Sequence, residues 1–160
     1  MESYLSDIRY VSIPPYRMAK AEVISEKPED EVISILTKWV GAKKIDPGKS
    51  RCFGFDVPVS DEDKALGKRG YEYWISVPES ILPTDQVGIV DFEGGDYIAM
   101  RITDPFSAPC ERIPMGWKTL VEYVKQNKIK PDWCSTGGCL EEVIVIKKIT
   151  YMDVLIKLKK

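Results

Sequence analysis

The sequence predicts an α+β fold, in which duplicated strand–helix–strand–strand units form one antiparallel sheet of about eight strands with two main helices on one face. Short runs of alternating polar and apolar residues are separated by Gly- and Pro-containing stretches, which is typical of strands. Two longer segments have apolar residues at helical spacing, and each contains a proline near its start. The same order of elements occurs in both halves of the chain, which indicates a duplicated architecture.

In the first half, a helix is predicted to begin at Pro28, because proline suits the first helical position and acidic residues follow it in the first turn. Its apolar face contains Val32, Ile35, Leu36, Trp39 and Val40. Gly41 and the "DPG" turn end this helix. The polar segment 60–70 is predicted to be a loop. Strands are predicted at 9–13, 16–25, 51–59 and 71–78.

In the second half, the corresponding helix is predicted to begin at Pro114 and to end at the "KIKPD" segment, residues 128–132. Its apolar face contains Ile113, Trp117, Leu120, Val121 and Val124. Strands are predicted at 87–94, 95–103, 138–146 and 151–160, the first two meeting at a pair of glycines.

The two halves also match in sequence pattern. The helix faces correspond at an offset of 85 residues, and "CFG" (52–54) lies opposite "CLE" (139–141) at an offset of 87. Gly54 in the first half therefore corresponds to Glu141 in the second. We interpret the chain as a single domain, residues 1–160, that is built of two pseudo-repeats at about 6–80 and 86–160.

The amino-acid composition argues against several classes of function. The 160-residue chain has a formal net charge of −2, which provides no basic surface for direct nucleic-acid binding. No N-terminal signal pattern is present, and no segment approaches the run of about 18 apolar residues that a membrane span needs. We expect a cytoplasmic protein that does not contact membranes.

The chain contains no histidine, which excludes Ser–His and Cys–His catalysis, His-ligated metals and the usual proton shuttle near neutral pH. Acid–base chemistry would depend on carboxylates, Tyr, Lys or Cys. The four cysteines form no CxxC pair, so we expect reduced thiols, no metal and no cofactor. The cysteines are Cys52, Cys110, Cys134 and Cys139.

Two carboxylates, Glu141 and Glu142, interrupt the apolar strand "GCLEEVIVI". Neighbouring strand residues point to opposite sides, so at least one of them is expected to face apolar surroundings unless both lie at a strand end in water. A buried carboxylate has a raised pKa and needs a cation or hydrogen-bond donors. An apolar groove between the two helices, with one acid at its floor, would suit lipophilic cations. The pattern does not decide which glutamate faces the groove.

Aromatic side chains are the candidate walls of such a groove, because flat rings bind planar ligands and attract cations. Tyr71 and Tyr73 share one side of their strand whereas Trp74 lies on the other, so the three cannot all line one groove. For each ring, the alternative to lining the groove is packing in the core or on the surface. The candidates are Tyr71, Tyr73, Trp74, Phe55, Tyr97, Trp117 and Trp133.

Taken in order, these motifs resemble the GyrI-like superfamily, which includes the effector-binding domains of AraC-type and MerR-type multidrug regulators. "LEEV" (140–143) is similar to the strand that carries the family's glutamate, with Glu141 at that position. Val143 departs from the pattern, since many relatives have tyrosine or histidine there. The resemblance covers residues 6–160, and its other segments are "FGFD" (53–56), "YEYWISVPE" (71–79), "FEGGDYIAMRI" (92–102) and "GWKTLVEYV" (116–124).

The resemblance implies a stand-alone small-molecule-binding protein, since the chain has no spare segment for a helix-turn-helix. Its ligands would be apolar, planar or cationic, with Glu141 or Glu142 as the polar anchor. The family also implies two alternatives. One is a hydrolase that opens strained cyclopropane rings, with Glu141 moving a proton and Tyr71 orienting water or the glutamate. The other is an inhibitor that binds a topoisomerase-like partner. The natural ligand, the oligomeric state and any separate regulator are not specified by the sequence.

Overall fold

The computed structural model describes residues 2–160, and within them it contains three α-helices and one eight-stranded antiparallel sheet, which confirms the predicted α+β class. The strands are β1 (Arg9–Ile13), β2 (Tyr16–Ser25), β3 (Cys52–Val57), β4 (Arg69–Ser76), β5 (Gly88–Phe92), β6 (Gly95–Thr103), β7 (Cys139–Ile146) and β8 (Ile149–Lys157). The helices are α1 (Pro28–Ala42), α2 (Asp61–Ala65) and α3 (Pro109–Gln126).

The segment predicted as a loop over residues 60–70 is partly helical. Ser60 precedes α2 and its hydroxyl accepts a hydrogen bond from the backbone N–H of Asp63 at 3.1 Å, which satisfies one of the free amides of the first turn. The acidic residues of this segment then lie at the N-terminus of the helix, where the helix dipole favours them. The sequence contained this capping signal, and the loop prediction was wrong.

The helix α3 begins at Pro109, so the prediction that it begins at Pro114 is wrong. Pro114 lies inside the helix and cannot donate a hydrogen bond to the preceding turn. That turn is held by other contacts: the backbone N–H of Arg112 donates to Ala108 O at 2.9 Å, and the guanidinium of Arg112 donates to Thr103 O at 2.9 Å. The second of these contacts is made to the last residue of β6, the strand that precedes α3, nine residues earlier in the sequence.

The chain divides into two compact units. Unit 2 is Tyr16–Phe92, and its strands lie in the order β3-β4-β2-β5. Helix α1 packs on one side of these strands through three buried residues. They are Val32, Leu36 and Val40, in contact with a cluster that includes Ala19, Tyr71 and Ile75.

Unit 1 is Met1–Pro15 together with Glu93–Lys160, and its strands lie in the order β1-β6-β8-β7. Helix α3 packs on one side of them, with Leu120 and Val124 buried in the same cluster as Ile98, Met100 and Val154. In each unit we call the side that the helix covers the helix side, and the other the opposite side.

The compact units do not coincide with the predicted pseudo-repeats. Strand β1 pairs with β6, and β5 pairs with β2, so the first strand of each predicted repeat pairs with the second strand of the other. Strands β1 and β2 are joined only by Pro14 and Pro15, and proline cannot adopt the positive φ of a tight hairpin turn. The first strand therefore cannot fold back on the second. The internal duplication itself stays a prediction.

Candidate functional site

The sheet register assigns Glu141 and Glu142 to different sides of unit 1. Residues paired across neighbouring strands share a side, and Glu141 pairs with Val154, which is buried beneath α3. Glu142 pairs with Asp153 on the opposite side. Glu141 is therefore the glutamate on the helix side.

Glu141 is held by a side chain of α3. The indole Nε1 of Trp117 donates a hydrogen bond to Glu141 Oε2 at 2.8 Å, and both residues are half-buried. Hydrogen bonds to a charged acceptor are stronger than those between neutral groups, so this contact restricts the orientation of the carboxylate. The strand and the helix thus present a carboxylate and an indole ring side by side.

The surroundings of Glu141 disfavour charge at the neighbouring thiol. Cys139 lies two residues earlier on the same side of β7, and burial raises the pKa of Cys139 to about 11. This thiol stays protonated at neutral pH. Apolar surroundings of this kind strengthen any electrostatic contact made within them.

Glu142 belongs to a cluster of charged residues on the opposite side of unit 1. Asp153, which pairs with Glu142, is buried and accepts hydrogen bonds from the Nε and Nη2 of Arg101 at 2.7 and 2.9 Å. Arg9 also forms an ion pair with Asp153. The hydrogen bonds that Arg101 donates to Asp153 raise the pKa of Arg101 above its usual value. These contacts support a structural role for this side, and they separate Glu142 from Glu141.

In unit 2, Tyr71 and Tyr73 lie on the helix side and pack with the cluster beneath α1. Tyr71 lies directly over the backbone of Gly54. A Cβ at position 54 would be 2.1 Å from the hydroxyl oxygen of Tyr71 and 2.5 Å from its ring carbons Cε1 and Cζ. Only glycine therefore fits beneath this ring.

Trp74 and Phe55 lie on the opposite side of unit 2. The indole Nε1 of Trp74 donates to Glu72 Oε2 at 2.6 Å, and the ring of Phe55 meets the Trp74 ring edge-on with centroids 5.2 Å apart. Trp74 is fully buried, so these rings form part of the core of the molecule.

The two remaining candidates are Tyr97 and Trp133. Tyr97 is fully buried on the opposite side of unit 1, and its hydroxyl donates to Gly137 O at 2.6 Å. Burial raises the pKa of Tyr97 well above its usual value. Trp133 lies in the segment between α3 and β7 and is 46% exposed. Of the predicted residues, the structure joins Glu141 and Trp117 directly within unit 1, and places Tyr71 and Tyr73 together on the helix side of unit 2.

Strict alternation along the strand predicts that Cys139, Val143 and Val145 share one side with one of the two glutamates. The register shows that this glutamate is Glu141, and all four residues lie on the helix side of β7. Across residues 2–160, no group of three or more Cys, Asp or Glu side chains is arranged to hold a metal ion. Within the same range, no helix has the length and apolar character needed to cross a bilayer.

Known proteins resemble the chain in structure rather than in sequence. No protein-family profile and no curated protein sequence matches it. The C-terminal domain of EcmrR superposes with a TM-score of 0.67 at 13% identity, covering 96% of this chain and 98% of that domain. EcmrR in its DNA complex superposes with a TM-score of 0.68 at 13% identity, covering 98% of this chain. The chain spans 58% of the length of that protein.

Two further solved structures share the fold. A hydrolase encoded by lin2189 from Listeria innocua has a TM-score of 0.58 at 10% identity, covering 95% of this chain and 91% of its own. SAV2435, solved bound to tetraphenylphosphonium, has a TM-score of 0.51 at 10% identity, covering 95% of this chain and 94% of its own. Identities this low establish a common fold and nothing further. The fold of this chain is therefore the one that these solved structures share.

Proposed function

We propose that the chain binds small lipophilic compounds that carry a positive charge, with Glu141 as the polar anchor. The observation that carries this function is the carboxylate of Glu141, held at 2.8 Å by the indole of Trp117 on the helix side of unit 1. A carboxylate accepts hydrogen bonds from ligand donors and attracts cations.

Two other features support a cationic, apolar ligand. Cys139, two residues from Glu141 on the same side of β7, is half-buried, and this burial raises the pKa of its thiol to about 11. A cation that reaches the carboxylate there meets a stronger field than it would in water. SAV2435, which shares the fold, was solved with the lipophilic cation tetraphenylphosphonium.

The test is calorimetric titration of the protein with tetraphenylphosphonium. We expect Glu141→Gln to weaken binding at least about tenfold, since a single charge-assisted contact contributes about 1.5–3 kcal/mol. The matched control is Glu122→Gln, which removes the same charge from an exposed position on α3. Equal binding by the protein and its Glu141→Gln variant, or no binding by any lipophilic cation, would overturn this function. The latter result would leave the protein-binding inhibitor as the alternative.

Hydrolysis is the second candidate, and the fold shared with the hydrolase from Listeria innocua is the observation that favours testing it. The protein is incubated with cyclopropane-bearing compounds, and the mass of the products is followed. Turnover that is lost in Glu141→Gln and retained in Glu122→Gln would assign the proton transfer to Glu141. Binding without turnover would leave the protein a binder.

A further inference from the structure

An exposed apolar strip continues outward along β7 from Glu141. Val143 and Val145 lie on the same side of the strand as Glu141, and they are 48% and 65% exposed. Their partners on β8 are Met152, which is buried, and Thr150, which is half-buried. Large apolar side chains in water are unfavourable, and here two of them follow a carboxylate on one side of one strand.

The strip has a defined length. Same-side residues on a strand are about 6.6 Å apart, so Glu141 and Val145 are separated by about 13 Å. The inner end carries the carboxylate and the indole of Trp117. The outer end is followed by two exposed lysines, Lys147 and Lys148, at the turn between β7 and β8. Charge is therefore negative at one end of the strip and positive at the other.

We propose that this site takes single-chain alkyl cations, with the ammonium group at Glu141 and the alkyl chain along Val143 and Val145. This inference rests on the proposed function and specifies its ligand class. The lysines at the outer end repel an ammonium group and so favour the orientation with the charge at Glu141. A chain of about ten carbons would match the length of the strip. A rigid tetra-aryl cation can reach the carboxylate but cannot follow the strip outward.

Chain length is the variable that tests this inference. Alkyltrimethylammonium salts with six to fourteen carbons are titrated by calorimetry, each below the concentration at which it forms micelles. Full burial of a methylene strengthens binding about fourfold, and a chain lying on an open strip gains about half of that free energy, or about twofold per methylene. We expect this gain to continue up to about ten carbons and then to level off.

Val145→Thr is the variant that isolates the strip, since threonine keeps the shape of valine and the position is exposed. It is expected to reduce the increase in affinity per methylene for the longer alkyl chains and to leave tetraphenylphosphonium binding unchanged. The control is Ile24→Thr, a β-branched strand residue of unit 2 that is 42% exposed. Primary alkylamines of equal length show whether the site prefers an ammonium group that donates hydrogen bonds.

Each other outcome contradicts the inference in a different way. Binding of tetraphenylphosphonium that depends on Glu141, without any dependence on chain length, would overturn the alkyl strip and retain the proposed function. If neither tetraphenylphosphonium nor the alkyltrimethylammonium salts bind, both the alkyl strip and the proposed function are overturned. If affinity still increases with alkyl-chain length in Val145→Thr and in Val143→Thr, the alkyl chain of the ligand binds elsewhere on the protein. Concentration-dependent dimerisation that Val145→Thr abolishes would show that a second copy covers the strip.

Discussion

Gly54 on β3 and Glu141 on β7, which the sequence comparison predicts to correspond, differ in what surrounds them. Gly54 follows Cys52 by two residues on the helix side, and Cys52 pairs with Ile75. Glu141 follows Cys139 in the same way, and Cys139 pairs with Ile156. Above Gly54 the sheet's own Tyr71 fills the space. At Glu141 the helix supplies Trp117, whose indole binds the carboxylate. The same strand position thus serves packing in one unit and polar chemistry in the other.

The two positions differ in the property that a substitution should change: stability at Gly54 and binding at Glu141. Close packing of a ring on a glycine leaves no room for change, and a residue added there must displace the ring. A half-buried carboxylate beside an indole tolerates substitution without a clash, and under the proposed function its loss changes ligand binding instead.

The Gly54→Ala substitution should have the largest effect. The new Cβ would lie 2.1 Å from the Tyr71 hydroxyl, so the buried ring must shift, and we expect a loss of about 3 kcal/mol in the free energy of unfolding. Urea denaturation measures this loss. Gly41→Ala in α1 is the control, because nothing lies within 4 Å of its added Cβ and alanine favours helices by about 1 kcal/mol. A Gly54→Ala variant as stable as the native protein would contradict the packing of Tyr71 on Gly54.

Thiol labelling should distinguish Cys139 from the exposed cysteines by about a factor of 100. The pKa of Cys139 is raised from 9.0 to about 11, so at pH 8 its thiolate fraction is lower by that factor. Cys110 and Cys134 are exposed and should react first with iodoacetamide. Mass spectrometry of the labelled peptides follows each site. The rate at Cys139 should increase about tenfold per pH unit up to its pKa, and rapid labelling of Cys139 at pH 8 would contradict the apolar surroundings of the site.

The Trp117→Phe substitution should have the smallest effect. It removes the hydrogen bond that orients Glu141 but keeps the charge of the carboxylate, so we expect lipophilic cations to bind about fivefold more weakly, a loss of about 1 kcal/mol in binding free energy. Calorimetry is the suitable measurement, because the change also removes a fluorophore. Trp39→Phe is the matched control: its indole donates to Thr84 Oγ1 at 3.1 Å from α1 of unit 2. Equal weakening by both substitutions would show that Trp117 has no specific role.

Much of the fold could be predicted because local patterns dominate it. The strand Tyr16–Ser25 and the start of α1 at Pro28 agree with the prediction from alternation and from helix-start signals. The pairing of β1 with β6 could not be predicted, since alternation does not specify a strand's partner. The first turn of α3 was missed although its start signals are local, since Pro109 is at the start of the helix and Glu111 follows in the first turn.

The amino-acid sequence was enough to specify that Glu141 and Glu142 lie on opposite sides of one strand and that no histidine takes part in any chemistry, and it predicts that Gly54 corresponds to Glu141. Tertiary structure alone decided that Glu141 is the residue facing α3, that Trp117 binds it, and that Tyr71 covers Gly54. The physical reason is that the strand period specifies only the relative orientation of neighbours. The side that becomes the site depends on where a helix from another part of the chain packs.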